Sequence, residues 1–207
     1  MTKLQALARF IMSDFDIFFD YMQKLSGMPL SEEEKQMFRV HLKPKKLRRR
    51  QYFLQEGDVC KYTGFIVKGS AKTYRVDEKG NEHILKLSVE EWWLADFESY
   101  YHLKPSRYNI EALEDLELLV VTNAQVEEFF APIPAFAAMQ EVIKQNFAIA
   151  NQNRVQAAIS YTAEERYEDL IANYPHFLQR FSLNMIASYL GLSPETLSRI
   201  RKNSVKS

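Results

Sequence analysis

Apolar positions change their period along this chain, and the change divides it. Up to about Met28 they recur at helical spacing: Leu4, Leu7, Phe10 and Ile11, then Phe15, Phe18, Phe19 and Met22. Ser31 followed by Glu34 forms a capping box. A second short helix is therefore expected over KQMFRVHL, with Pro44 as its stop. From about Lys46 to Thr122 the apolar runs become short, β-branched and aromatic: QYFLQEGD, YTGFIVKGSAKTYRV, EHILKLSV and YNIEALEDLELLVV. Turn residues separate them, and VDEKGNEH has the form of a hairpin connection with Gly80 at its tip. Short strands at such spacing predict an antiparallel sandwich or barrel.

Helical spacing then returns. Thr122 is placed to cap a short helix over AQVEEFF, and Pro132 and Pro134 interrupt the chain. A long helix is predicted from about Ala135 to Ser160. Phe136, Ile143, Ala150 and Ala157 recur along it at heptad spacing, with Met139, Phe147 and Ala158 alongside and Asn146 and Asn153 near the seam. Two readings of this seam stand: a helix packed on its own domain, and a dimer helix in which polar residues fix the register. Thr162 and Glu165 form another capping box, AEERYEDLIANYP stops at Pro175, and the remainder is helical. The predicted order is α+β: helices, a β-rich body, a long helix, and a small C-terminal helical domain.

Composition narrows the classes. With 207 residues, 46% of them hydrophobic, the chain can bury a sizeable core. Lys plus Arg equals Asp plus Glu at 27 each, so overall charge names no partner. The single cysteine, Cys60, excludes a disulfide framework or a cysteine metal site within one chain. His41, His83, His102 and His176 are scattered, without metal-ligand spacing, and no cofactor is expected. No apolar run is long enough to cross a bilayer, and Asp14, Asp16 and Asp20 interrupt the N-terminal segment, so a cytoplasmic protein without a membrane partner is expected.

The most informative stretch is SLNMIASYLGLSPETLSRIRK, from Ser182 to Lys202. Ser182 is an N-cap, and Ile186, Ala187 and Leu190 give one apolar face. Gly191 can take the positive φ of a tight turn between helices. Ser193 caps the next helix, with Pro194 at its first position. Leu197 and Ile200 point back at the first helix. Glu195, Thr196, Ser198, Arg199 and Lys202 are left facing outward, as the major-groove face of a recognition helix would be. Arg180, Arg199, Arg201, Lys202 and Lys206 are opposed over this region by Glu195 alone, a local basic excess that the neutral total hides.

On these residues the chain resembles a Crp/Fnr-family transcription regulator over nearly its full length. LQEGDVCKYTGFIVKGSAKTYRVDEKGNEHILKL resembles that family's cyclic-nucleotide-binding-type β-roll, with Gly57 and Gly69 at turns, and GLSPETLSRI is similar to its recognition helix. The resemblance implies an antiparallel β-roll (double-stranded β-helix) over residues 1–132 with its N-terminal helices. A dimerisation helix over 133–160 and a helix-turn-helix DNA-binding domain over 161–207 would follow. It implies a homodimer that binds a roughly palindromic DNA site. The Fnr-branch pattern Glu-x-x-Ser-Arg falls on Glu195, Ser198 and Arg199, and Ser193, Thr196 and Lys202 complete the expected DNA-binding set. Two departures are visible. Pro194 stands where the cyclic-AMP receptor branch has arginine, and the sequence stops at Ser207, too soon for the family's β-hairpin wing. An activator would also need a surface for RNA polymerase, which the sequence does not locate.

The effector region departs further. Family members that bind cyclic AMP use Gly-Glu and, further along, Arg followed by Ser or Ala. Aligning on IEALED puts Ala95 and Asp96 at Gly-Glu and Ser106 at the arginine, with Arg107 one place late. A slip of one residue turns a strand side chain to the opposite face. A small-molecule effector other than cyclic AMP, and a pocket that takes none, both remain open. Trp92, Trp93, Phe97, Tyr100 and Tyr101 make the region aromatic, by core packing or by lining a pocket. Cys60 is expected to be a buried structural thiol. The basic run KPKKLRRR, from Lys43 to Arg50, is expected to precede the first strand as a solvated turn and strand face. No nucleophile elbow, P-loop or His-Glu-x-x-His occurs, and His83 has no second histidine near it for a cupin-type metal site, so an enzyme is not expected. The rival to a regulator is a ligand-sensing or scaffold β-roll without DNA binding.

Overall fold

The computed structural model describes residues 3–204, with side chains from Asp14 through Asn203. The side chains of Leu4, Leu7, Phe10 and Ile11 lie outside that range, and Lys206 lies outside the described residues. The chain forms two compact units, residues 1–75 with 87–144, and residues 76–86 with 145–207.

Two antiparallel four-stranded sheets make the β-roll. One has the order β1 (Lys43–Leu47), β8 (Leu116–Val121), β3 (Thr63–Lys68), β6 (Trp93–Leu94). The other has the order β2 (Tyr52–Leu54), β7 (Asn109–Ala112), β4 (Ala71–Val76), β5 (Glu82–Ser88). The fold class expected from the sequence is therefore observed. Strand β8 reads LELLVV, nearly all apolar, because both of its faces are covered. Leu116, Leu118 and Val120 meet Leu54, Ile66, Ile110 and Ala112 in the interior of the roll. Leu119 and Val121 join Phe65 and Val67 on the other face, under the helices α1 (Lys3–Ser26) and α2 (Glu32–His41). Phe18 is the hub there, with ring centroids 5.3 Å from Phe65, 5.5 Å from Phe38 and 6.1 Å from Trp93. Gly69 turns β3 into β4 at φ 95°, and a Cβ at this position would stand 2.5 Å from the Asp115 carbonyl oxygen, so no other residue fits.

Three expectations need correction. The basic run does not precede the first strand; Lys43–Leu47 is the first strand, paired with β8 from Lys43↔Val120 to Leu47↔Leu116. Pro44 lies inside it rather than stopping the preceding helix, which ends at His41 with Leu42 as its cap. β1 tolerates proline and lysine because it is an edge strand, where neither must satisfy a second neighbour. The segment after Thr122 is only briefly α-helical. Asn123–Gln125 (α4) passes into a π-helical turn at Val126–Phe130, which places Val126 and Phe130 in the core. The capping boxes at Ser31, Thr122 and Thr162 all form.

The long helix α5 (Pro134–Ser160) belongs to both units. Phe136 and Met139 are spent inside the first unit's core, with Ile143 packed against it. Beyond Lys144 the apolar side chains Phe147, Ile149, Val155 and Ile159 are exposed. In the second unit follow α6 (Ala163–Asn173), α7 (Phe177–Arg180), α8 (Leu183–Leu190) and α9 (Pro194–Ser204). No described helix is long and apolar enough to cross a membrane.

One buried charge sets a pH dependence. Asp14 on α1 is buried, 5% exposed, and its carboxyl is pushed up to about 6 by burial first and then by Glu117, with Lys46 opposing. A raised carboxyl favours the protonated form in the fold. The penalty is therefore full above about pH 6 and is relieved as pH falls through that value toward the ordinary carboxyl range. Asp14→Asn is expected to raise the thermal midpoint at neutral pH by about 2–4 °C, which corresponds to about 1 kcal/mol after discounting for screening by water. The gain should vanish by about pH 4 in calorimetric melts; a gain that is equal at both pH values would remove the assignment.

Candidate nucleic-acid interface

The two C-terminal helices are fixed by local chemistry. Ser182 accepts the Met185 N–H at 3.4 Å and starts α8. Gly191 ends it at φ 68°, and the Leu192 N–H donates to the Ala187 carbonyl across the turn, the bond pattern of a glycine helix stop. The Arg166 guanidinium, from α6, donates to the Leu190 carbonyl at 3.1 Å and satisfies another end group of α8. Ser193 then accepts the Thr196 N–H at 3.2 Å and starts α9.

Packing decides which face of α9 is free. Leu197 is 0% exposed and Ile200 is 1% exposed, and α9 packs on both α8 and α6. Glu195, Ser198, Arg199 and Lys202 are exposed on the other side. Their spacing of three, four and seven residues from Glu195 puts all four on one helical face. Thr196 is half-buried, and the Ser193 hydroxyl donates to its hydroxyl at 3.1 Å. These two residues thus build the start of the helix, whereas the other four form the open surface. The Glu195 carboxyl is held below the usual carboxylate range by its own backbone N–H and then by Ser193, so it stands ionised as an acceptor. Arg166, which braces the turn from α6, carries no signal in the sequence that would have singled it out.

The four residues aligned with the effector site do not converge on an opening. Asp96 is the N-cap of α3 (Phe97–His102), a helix the sequence reading did not anticipate, and accepts from the Glu98 N–H at 3.1 Å and the Ser99 N–H at 3.4 Å. Its other oxygen takes the Ser106 hydroxyl at 2.7 Å. Both side chains are buried. Arg107 is exposed and pairs with Glu98 at 2.9 Å. Ala95 packs at the edge of the roll's interior core. The carboxylate aligned with the ribose acceptor is thus satisfied internally.

The neighbouring aromatics divide. Tyr100 is buried and Trp93 packs into the helical core, whereas Phe97 and Tyr101 are stacked and exposed. Cys60 is buried, its thiol pushed up chiefly by burial and donating to the Tyr62 carbonyl. His41 stacks on Phe129, and His83 lies 2.8 Å from Asp77. Among the described residues no group of three or more His, Cys, Asp or Glu is placed to hold a metal ion.

Comparison with known proteins agrees with this geometry. Residues 44–132 match the family model of the cyclic nucleotide-binding domain. No curated protein sequence matches the chain. FixK2 from Bradyrhizobium japonicum is similar in structure at a TM-score of 0.65 and 18% identity, covering 78% of this chain and 83% of its own. A CooA variant from Carboxydothermus hydrogenoformans has a TM-score of 0.68 at 13% identity, covering 89% and 83%. A regulatory subunit of a cyclic-AMP-independent protein kinase A from Trypanosoma brucei has a TM-score of 0.52 at 13% identity, covering 72% and 53%. The resemblance to Crp/Fnr regulators read from the sequence is borne out in the fold.

Asp96→Ala removes a helix cap and the acceptor of a buried hydroxyl together. A loss of about 2–3 kcal/mol in urea unfolding is expected. A loss below about 0.5 kcal/mol would mean that the pair is not structural.

Proposed function

We propose that this chain is a homodimeric, sequence-specific DNA-binding transcription regulator of the Crp/Fnr type, whose effector region does not take cyclic AMP. The observation that carries the reading is the face of α9. Glu195, Ser198, Arg199 and Lys202 are exposed together, while Leu197 and Ile200 use the opposite face for packing. In a major groove Arg199 would donate two bonds to a guanine edge, and the ionised Glu195 would accept from a cytosine amine. Lys202 supplies phosphate attraction, and Ser198 a hydroxyl that suits either role. Ser193 and Thr196 hold the helix start from which these groups project.

The residues 133–160 supply the dimer helix in this reading. Phe147, Val155 and Ile159 lie exposed along α5, and a second copy of the helix would bury them, with Asn146 and Asn153 close enough to fix register. Residues 161–207 form the DNA-binding domain. A ligand-sensing or scaffold module without DNA binding is the second reading, favoured by the likeness in fold to a kinase regulatory subunit.

Gel-shift titration against genomic fragments separates the two. The regulator should bind specifically, with affinity falling at least about tenfold between about 50 and about 200 mM salt. Arg199→Ala should weaken specific binding by about 1–3 kcal/mol per recognition helix with an unchanged thermal midpoint. Wild-type affinity in that variant would overturn the role given to Arg199. Val155→Glu combined with Ile159→Glu should give a monomer by light scattering, and a persistent dimer would place the interface elsewhere. Titration calorimetry with cyclic AMP should show no binding heat, since neither an anion clamp nor a free carboxylate is offered.

A further inference from the structure

Strand β5 ends its sheet, and an end strand presents backbone N–H and C=O groups that no neighbouring strand takes up. Within the unit of residues 76–86 and 145–207, a helix side chain takes up some of them. Ser188 on α8 accepts the Ile84 N–H at 3.0 Å and donates to the Glu82 carbonyl at 3.0 Å. Residues two apart on a strand direct their backbone groups to the same edge, so one hydroxyl does part of what an added strand would do. One residue beyond Ile84, the Leu85 carbonyl accepts from the Arg154 guanidinium of α5. That guanidinium also lies over the Tyr189 ring at 4.7 Å, next in sequence to Ser188. Strand β5, the second half of α5 and the first helix of the C-terminal pair therefore meet at four adjoining contacts. This agrees with the division of the chain, in which residues 76–86 group with α5 and α8 rather than with the rest of the roll.

We propose that Ser188 is a positioning residue that sets operator spacing: by latching α8 to the edge of β5 beside Arg154, it fixes the recognition helix against α5. The proposal rests on the DNA-binding dimer reading above. In such a dimer α5 carries the symmetry axis, so the angle between α5 and α9 determines how far apart the two recognition helices stand. Half-sites one base pair nearer or farther differ in both distance and rotation about the duplex. A C-terminal unit held only by its connection to α5 would adapt to neighbouring spacings, and a latched one selects a single spacing.

Ser188→Ala removes both bonds without disfavouring the helix, and Ser188→Thr keeps the hydroxyl. Two readouts on the full chain separate the latch from its consequence. Amide hydrogen exchange at Ile84 should quicken about tenfold in Ser188→Ala and return toward the wild-type rate in Ser188→Thr. An unchanged rate overturns the latch, whether or not the protein binds DNA. In selection from DNA libraries with variable spacers, the wild type and Ser188→Thr should each enrich one spacing. Ser188→Ala should accept neighbouring spacings while keeping the same half-site sequence. Enrichment of the same single spacing by Ser188→Ala overturns the positioning role. If the wild type enriches no sequence, the regulator reading fails and takes the spacing role with it, while exchange at Ile84 still reads the latch.

Discussion

The burial of Leu197 and Ile200 is the constraint on which the C-terminal end depends. Two apolar side chains three residues apart fix the rotation of a helix about its own axis, because removing each from water is worth about 1.5–3 kcal/mol and no other rotation keeps both dry. Once that rotation is fixed, Glu195, Ser198, Arg199 and Lys202 have only one direction left. The caps at Ser182 and Ser193, and the turn at Gly191, set where each helix starts and stops. The buried pair sets what the second helix shows. Chemistry at the surface is in this sense a by-product of packing, and a change at Leu197 would disorganise the face without touching any residue on it.

A parallel argument explains why Asp96 and Ser106 are buried against each other. A buried carboxylate is costly unless donors surround it. Asp96 has three, the Glu98 and Ser99 N–H groups and the Ser106 hydroxyl, so it needs nothing from outside the chain. A ligand hydroxyl would have to displace Ser106, whose hydroxyl also accepts the Tyr108 N–H at 3.0 Å and lies 3.1 Å from the Tyr108 carbonyl. Arg107, one residue further along, is exposed and paired with Glu98.

Features written locally in the sequence were legible, and those that depend on tertiary context were not. Each capping box is complete within four residues, so those at Ser31 and Thr162 could be read directly, and Thr122 was legible as a cap. The exposed face of α9 followed from period alone. Strand β1 was illegible because its sequence, KPKKL, has the composition of a loop; only pairing along β8 makes it a strand. Strand β6 has two residues, too few to carry a pattern. Helix α3 was hidden because Asp96, read as a pocket carboxylate, is instead its cap. The heptad seam on α5 was visible, but not that its first turns serve the chain's own core while the exposed apolar residues begin at Phe147.

The hairpin of β4 and β5 shows why sheet membership and mechanical membership differ. Its base continues the roll, whereas residues 76–86 group with the C-terminal unit. Gly80 and the Asp77 carboxylate, which accepts from the Lys79 and Asn81 N–H groups, make the tip self-sufficient. The tip therefore needs no neighbour to hold its shape, and its outer edge is free to engage one. An edge strand must be paired, covered or charged to avoid pairing with another chain. Here a serine from a helix of the same unit takes up two of its groups, which joins strand to helix. No sequence pattern announces such a joint. Ser188 and Ile84 stand 104 residues apart, and a serine on the polar side of a short helix looks like any solvated residue until the strand is placed beside it.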